Sequence, residues 1–333
     1  MLPKSRLLFH IAFLPLYISL AFYTGFVPQP VSDKLSSFLR LAKANLCTQH
    51  LRTVITRALA TASDIDNTMS ALKFVPRRSE ERGHADHDWL KTFHTFSFAI
   101  YQDPEHEQFG CLRVINEDRV APRTGFGTHS HREFEIFSYV VAGELEHKDS
   151  MGNTEVLKRG DIQLTSAGMG ISHSEKAHGS KEVHFLQIWS LPHTPRLQPK
   201  YFTRHFSDAE KTDKWARVVA PVGAQGVLPE REGAGPAPVQ SQLSLYATLL
   251  GQGKSLSRPL EGKKGYIHVI QTSGYKEGKA EGATVRISSK EGGGEMVLHE
   301  GDGAYIFVGQ SGSVLDVANE GDRTAEVLVF DLD

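Results

Sequence analysis

The chain has 333 residues, 40% of them hydrophobic and 23% charged, with a formal net charge of −2. That composition supports one large or two ordinary globular domains and excludes a uniformly basic nucleic-acid binder. Its two cysteines, Cys47 and Cys111, lie far apart, which excludes a cysteine zinc site and argues against a disulfide framework; sixteen histidines leave imidazole and carboxylate as the metal-binding chemistry.

Residues 1–68 stand apart from the rest. Seven Lys/Arg against three Asp give them +4, which leaves −6 for residues 69–333. Leu7 to Val27 is strongly apolar behind Lys4 and Arg6, as in a signal peptide or a membrane anchor. Residues 34–62 carry Lys34, Arg40, Lys43, Arg52 and Arg57 without a single acid, the composition of a mitochondrial presequence. The two signals conflict. A third reading makes the segment an extension outside the functional fold, with Met69 as the working start.

From residue 70 onward, short runs rich in Val, Ile, Phe and Tyr recur between Gly, Asn, Asp and Ser, and they predict strands. The first set is Phe109–Ile115, Glu135–Val141, Asp161–Thr165 and Val183–Trp189. Val140 to His147 reads as strand, turn, strand about Gly143, and Arg159-Gly160-Asp161 turns the chain into the next run. No sustained 3.6-residue periodicity appears, so an antiparallel sandwich or barrel is expected. Residues 231–242 read as a Gly/Ala/Pro linker. Beyond it, Leu243–Leu250, Gly265–Thr272, Ala283–Ile287, Gly303–Val308 and Ala325–Asp331 predict strands again, and Glu300-Gly301-Asp302 repeats the earlier Gly-Asp turn. Residues 288–295 read as a surface insert. The expectation is an all-β fold of two tandem antiparallel β-barrels, residues 69–230 and 231–333, behind the extension 1–68.

The chemistry-bearing signal is Thr128-His129-Ser130-His131 together with His173-Ser174-Glu175. Residues i and i+2 of a strand point to one side, so each pair can aim two ligands at one point. One His-x-His in a polar loop is ordinarily surface; two such pairs in one β domain favour a shared ion. Three imidazoles and a carboxylate suit Fe(II), Mn, Co, Ni, Cu or Zn. Glu133 and Glu135 share the phase of His131 and stand as a neighbour of the site and an alternative ligand. His84, His87, His94, His147, His178, His184 and His193 lack paired spacing and read as packing or surface residues, with His184 a candidate support behind the ligands. Gly125-Phe126-Gly127 and Gly168-Met169-Gly170 permit tight turns at a barrel mouth.

These residues resemble the pirin family of the cupin superfamily. The likeness is carried by Arg77 to His84, Trp89-Leu90, His94 to Phe98, Leu112 to Val120, Gly125 to His129, Leu145 to Asn153, Ala167 to Glu175 and His184 to Trp189. It covers roughly residues 70–333, thins beyond 240, and leaves 1–68 unmatched. It implies a bicupin with the metal on His129, His131, His173 and Glu175, iron as the usual metal, and a second barrel without ligands, where only His268 and His299 remain. It also implies a quercetin 2,3-dioxygenase-like activity on a flavonol and O₂. In that reaction Glu175 would act as general base, and Phe126, Phe134 and Met169 would line an apolar pocket. The alternative that it allows is a non-enzymatic, iron-binding nuclear coregulator with a transcription-factor partner. Direct nucleic-acid binding is not expected from a region of charge −6. A chain starting near Met69 would be nuclear or cytoplasmic; membrane association would require residues 7–27 to be retained.

Overall fold

The computed structural model describes residues 72–292 and 294–333. The expected targeting, anchor or presequence segments of residues 1–68 lie outside the described residues. Among the described residues, no helix is long and apolar enough to cross a membrane.

The strands, in chain order, are β1 Leu72–Arg77, β2 Gly83–Asp86, β3 Leu90–His94, β4 Leu112–Val120, β5 Gly125–His131, β6 Glu135–Ala142, β7 Glu144–Asp149, β8 Thr154–Lys158, β9 Asp161–Ser166, β10 Ile171–Ala177 and β11 Val183–Ser190. They continue with β12 Lys200–His205, β13 Ala216–Pro221, β14 Ala237–Val239, β15 Leu243–Leu250, β16 Ser255–Leu260, β17 Lys264–Val269, β18 Thr284–Ser289, β19 Glu295–His299, β20 Gly303–Val308, β21 Ser313–Asn319 and β22 Ala325–Leu332. They form two similar pairs of sheets. The first joins a seven-stranded sheet, β12-β9-β6-β11-β4-β3-β2, to a four-stranded sheet, β5-β10-β7-β8. The second joins β1-β20-β17-β22-β15-β13-β14 to β16-β21-β18-β19. This is the expected all-β bicupin architecture.

Alternation along the strands decides where each side chain goes. On β6, Phe137, Tyr139 and Val141 enter one core, and Val140 enters another. On β11, Leu186 and Ile188 join the first set, and Val183 and Phe185 the second. The strands β15 and β22 do the same: Leu245, Ala247, Leu328 and Phe330 meet the β6 and β11 residues, while Tyr246, Leu250, Val327 and Val329 face their own barrel. The two seven-stranded sheets therefore pack face to face, and each strand serves both an inter-barrel core and a barrel interior. A slip of one residue would exchange the two faces, which pins the register.

The linker composition and the sheets divide the chain differently. The strand β1 pairs in full register with β20, from Leu72↔Val308 to Arg77↔Gly303, and so belongs to the second sheet pair. The strand β13 also joins that pair, through β15. The division expected at residue 231 follows the chain order but not these pairings, because the edge of β20 is covered by the strand nearest the N-terminus. Within the expected linker, Ala237–Val239 is itself a short buried strand, parallel to β13. At the ends of the expected surface insert, Ser288 of β18 pairs with Glu295 of β19. The two Gly-Asp turns share one conformation: Gly160 and Gly301 take φ of 89° and 90°, in the left-handed region that favours glycine.

Candidate metal centre

The strands β5 and β10 run antiparallel, with His129 directly opposite His173 and His131 opposite Ile171. A bulge between His173 and Glu175 then sets Glu175 opposite Phe126. Such a bulge locally increases twist and re-aims side chains. The rings of His129, His131 and His173 lie 4.6–4.8 Å apart, centroid to centroid. Their ligating nitrogens all fall within 4.8 Å of one another.

The nitrogen geometry tests whether a metal fits. His129 Nε2 lies 3.2 Å from His173 Nε2. Two nitrogens at right angles, each about 2.1 Å from one ion, are about 3.0 Å apart. His129 Nδ1 donates to the Gly127 carbonyl at 2.8 Å, which leaves Nε2 with its lone pair. Burial, reinforced by His173 and His129, pushes the His131 imidazole down to about 4. Burial lowers His173 as well. Both rings are therefore neutral near pH 7, the form that ligates. The donor set fits a divalent transition metal.

Glu175, two residues after His173 on β10, groups with His173 and His147 rather than with His129 and His131. Its Oε2 accepts from Gln187 Nε2 at 2.7 Å and its Oε1 from Ser138 Oγ at 3.2 Å. Burial alone would raise its pKa, but the His147 imidazole first, then His173 and the Ser138 hydroxyl, outweigh burial and hold it at about 2. It is a fixed carboxylate whose two oxygens are already oriented.

His147 belongs to neither the His-x-His nor the His-x-Glu pair. It sits on β7 directly opposite Glu175 and is fully buried. Its Nδ1 lies 3.9 Å from Glu175 Oε1 and its Nε2 3.4 Å from Asp149 Oδ2. With His173 and Glu175 it forms a second group of convergent donors that shares two members with the expected quartet. The one local hint was His147-Lys148-Asp149, which has the same i, i+2 spacing.

Other expected residues lie elsewhere. Glu133 breaks the phase of β5: its φ is 65°, and its carboxylate accepts from the Arg196 backbone N–H. Glu135 is buried but binds Ser166 Oγ and the Gln240 N–H, so it is no alternative ligand. His184 points to the inter-barrel side, where its Nε2 lies 3.0 Å from Glu117 Oε1. His268 meets the other oxygen of Glu117 at 3.1 Å, and His299 lies against Thr284. Met169 is exposed, and Phe134 packs on Trp189. Neither lines the cavity beside the histidines.

That cavity encloses about 60 Å³. His129, His131, Glu175 and Phe126 form one side, and Gln187, Trp189, Asn116, Asp118, Thr92, His94, Leu90 and Phe98 the other. Residues 127–130 of β5 are exposed, so the mouth lies beside the imidazoles.

Known proteins resemble this chain in sequence and fold. The Pirin family profile matches residues 75–190. A quercetin 2,3-dioxygenase of Escherichia coli K12 is 36% identical over 258 residues, covering 77% of this chain and 97% of its own length. The crystal structure of the E. coli bacterial pirin YhhW in complex with nickel(II) superposes with a TM-score of 0.63 at 32% identity, covering 78% of this chain and 99% of that one. A second YhhW structure gives a TM-score of 0.64 at 31% identity, covering 78% and 98%. By sequence and by fold, this chain belongs to the pirin family.

Proposed function

We propose that the chain is a metal-dependent dioxygenase that opens a flavonol with O₂, in the manner of quercetin 2,3-dioxygenase. The observation that carries this reading is the grouping of His129, His131 and His173, with His129, His131 and Glu175 lining a cavity walled by Phe98, Phe126 and Trp189. The relatives named quercetin 2,3-dioxygenase support it. The four donors would hold a divalent ion, with Fe(II) the first to test. When bound, the ion would lower the pKa of the flavonol hydroxyl and bring substrate and O₂ together.

The chain's own residues supply orientation and shelter. Gln187 and Ser138 fix the Glu175 carboxylate, and His147 backs it from β7. Trp189 packs edge-on against His131 at 4.8 Å and holds that ring in place. Phe126 and Phe98 cover the cavity with apolar surface, which keeps water from the reacting ring. The enclosed volume admits the chelating edge of a flavonol, while the rest of the molecule lies along the exposed mouth of residues 127–130.

The test loads the full chain with Fe(II), adds quercetin and O₂, and follows loss of the flavonol absorbance. Turnover is expected, and it should end in Glu175→Gln. Bound metal with no flavonol loss would overturn the dioxygenase and leave the iron-dependent regulator as the reading.

A further inference from the structure

The cavity holds a second carboxyl whose surroundings are the reverse of those of Glu175. Asp118 lies on β4, with Asn116 on the same face and Glu117 on the opposite one. Its side chain is buried and lines the cavity. Thr92 stands directly across from it on β3. Its Oδ1 is buried without any hydrogen-bond partner. No cation pairs with it among the described residues; the charged groups acting on it are Glu175 from β10 and Glu117 from its own strand, while the Thr92 hydroxyl faces it from β3. Burial outweighs the opposing Thr92 hydroxyl, and Glu175 and then Glu117 add smaller pushes in the same direction, so the carboxyl is raised to about 7. Burial, the largest cause, persists when a cation neutralises Glu175. His94 is the other titratable group on this wall, but its Nδ1 is tied to Asn116 Oδ1 at 2.8 Å, and Phe98 lies tilted against its ring.

We propose that Asp118 is a catalytic residue that accepts the proton released when a chelating hydroxyl enters the site, leaving Glu175 to act as a ligand. The inference rests on the reading of this cavity as the place where substrate is deprotonated. In the step, the substrate O–H bond breaks, its electron pair stays on the substrate oxygen, and the proton bonds to Asp118 Oδ1. Nothing is oxidised or reduced. The two carboxyls then divide the work as environments of opposite effect dictate. Glu175, held at about 2 with both oxygens engaged, is a poor proton acceptor. A free, desolvated carboxylate oxygen on the facing wall, poised near neutrality, is a good one.

The experiment counts protons, so it does not depend on turnover. The full chain, loaded with redox-inert Ni(II), is titrated with acetohydroxamic acid, a small chelating acid, in weak buffer at about pH 8, where Asp118 is mostly ionised. The wild type should release close to no proton per molecule bound, because the hydroxamate anion bound beside Asp118 raises its pKa above the working pH and keeps the proton there. Asp118→Asn should release about one more, and Asp118→Glu should restore the wild-type count. Infrared spectra of the wild type should gain a protonated-carboxyl band on binding, a measurement that needs no variant. Equal proton release by wild type and Asp118→Asn, no carboxyl band, or no binding of the hydroxamate would each overturn the proposal. Failure of quercetin turnover would overturn the dioxygenase reading without touching this count.

Discussion

The two barrels have matching frameworks and opposite interiors. The strands β10 and β21 hold the same place in their four-stranded sheets and alternate buried and half-buried residues in the same way. At the third and fifth positions, β10 buries His173 and Glu175, whereas β21 buries Leu315 and Val317. Across the pairing, His129 faces His173 where Arg258 faces Leu315, and Glu175 faces His147 where Val317 faces Ile287. The second barrel fills its interior with aliphatic side chains, each worth about 1.5–3 kcal/mol when fully buried. The first gives up part of that gain to hold a hydrogen-bonded polar wall. Alternation makes a barrel in both cases, and the chemistry of the inward residues decides whether it becomes a site or a support.

The support reaches the site through Glu117. This carboxylate, on the inter-barrel face of β4, meets His184 and Arg82 of its own half and His268 and the Gln271 N–H of the other. It shares its strand with Asn116 and Asp118, whose side chains line the cavity. The second barrel thus steadies a strand of the pocket without carrying ligands of its own among the described residues.

The sharpest way to break the comparison is to exchange interiors. Val317→Glu puts an unpaired charge into an apolar core and should cost about 3–5 kcal/mol in urea unfolding, whereas Glu175→Val, which leaves Gln187, Ser138 and His147 without their carboxylate, should cost about 1–3 kcal/mol while metal is lost. If Val317→Glu were tolerated, the two interiors would not differ as described. Next in size is Glu117→Gln, with an expected loss of about 3 kcal/mol. Burial would raise the Glu117 carboxyl, but His184, His268 and Arg82 hold it well below the usual carboxylate range. Its contribution is therefore present above an unfolded pKa of about 4.3 and lost as pH falls toward the folded one, so Glu117→Gln should flatten the acid limb of the stability profile.

A third test separates ligand from scaffold. His131→Ala should weaken metal binding by about 100-fold or more, while Leu260→Ala, at the matching place in β16, should leave metal content unchanged. Metal analysis of the two purified variants decides it, and full metal in His131→Ala would contradict the ligand assignment. The smallest effect is expected for His147→Gln, about 10- to 100-fold in metal affinity with the fold intact, read by competition with a chelator. No change there would make His147 a packing residue, as its lack of paired spacing first implied.

Much of this was legible from local pattern. The run Leu243–Leu250 is β15 and Gly303–Val308 is β20, because alternating hydrophobics between glycine turns leave few other options. His129 with His131, and His173 with Glu175, stood out because the period of two is a property of a strand alone. Glu133 misled for the same reason: the period was carried past His131, where the backbone had already turned into the left-handed region. His147 and Asp118 escaped because little beside them in the chain marks them: His147 has only Asp149 two residues on. Each becomes notable only through the strand opposite, β10 for the first and β3 for the second.

Periodicity by itself determined that this protein would be built of short antiparallel strands, and that four donors would be offered in two pairs of i, i+2 spacing. Backbone sterics and the alternation of side chains act over a few residues, so they can be read along a chain. Tertiary structure alone decided that β5 pairs with β10, that a bulge swings Glu175 away from the simple register, and that one buried carboxyl stays ionised while another is pushed toward neutrality. Those outcomes depend on which distant strands meet and on how much water is excluded when they do.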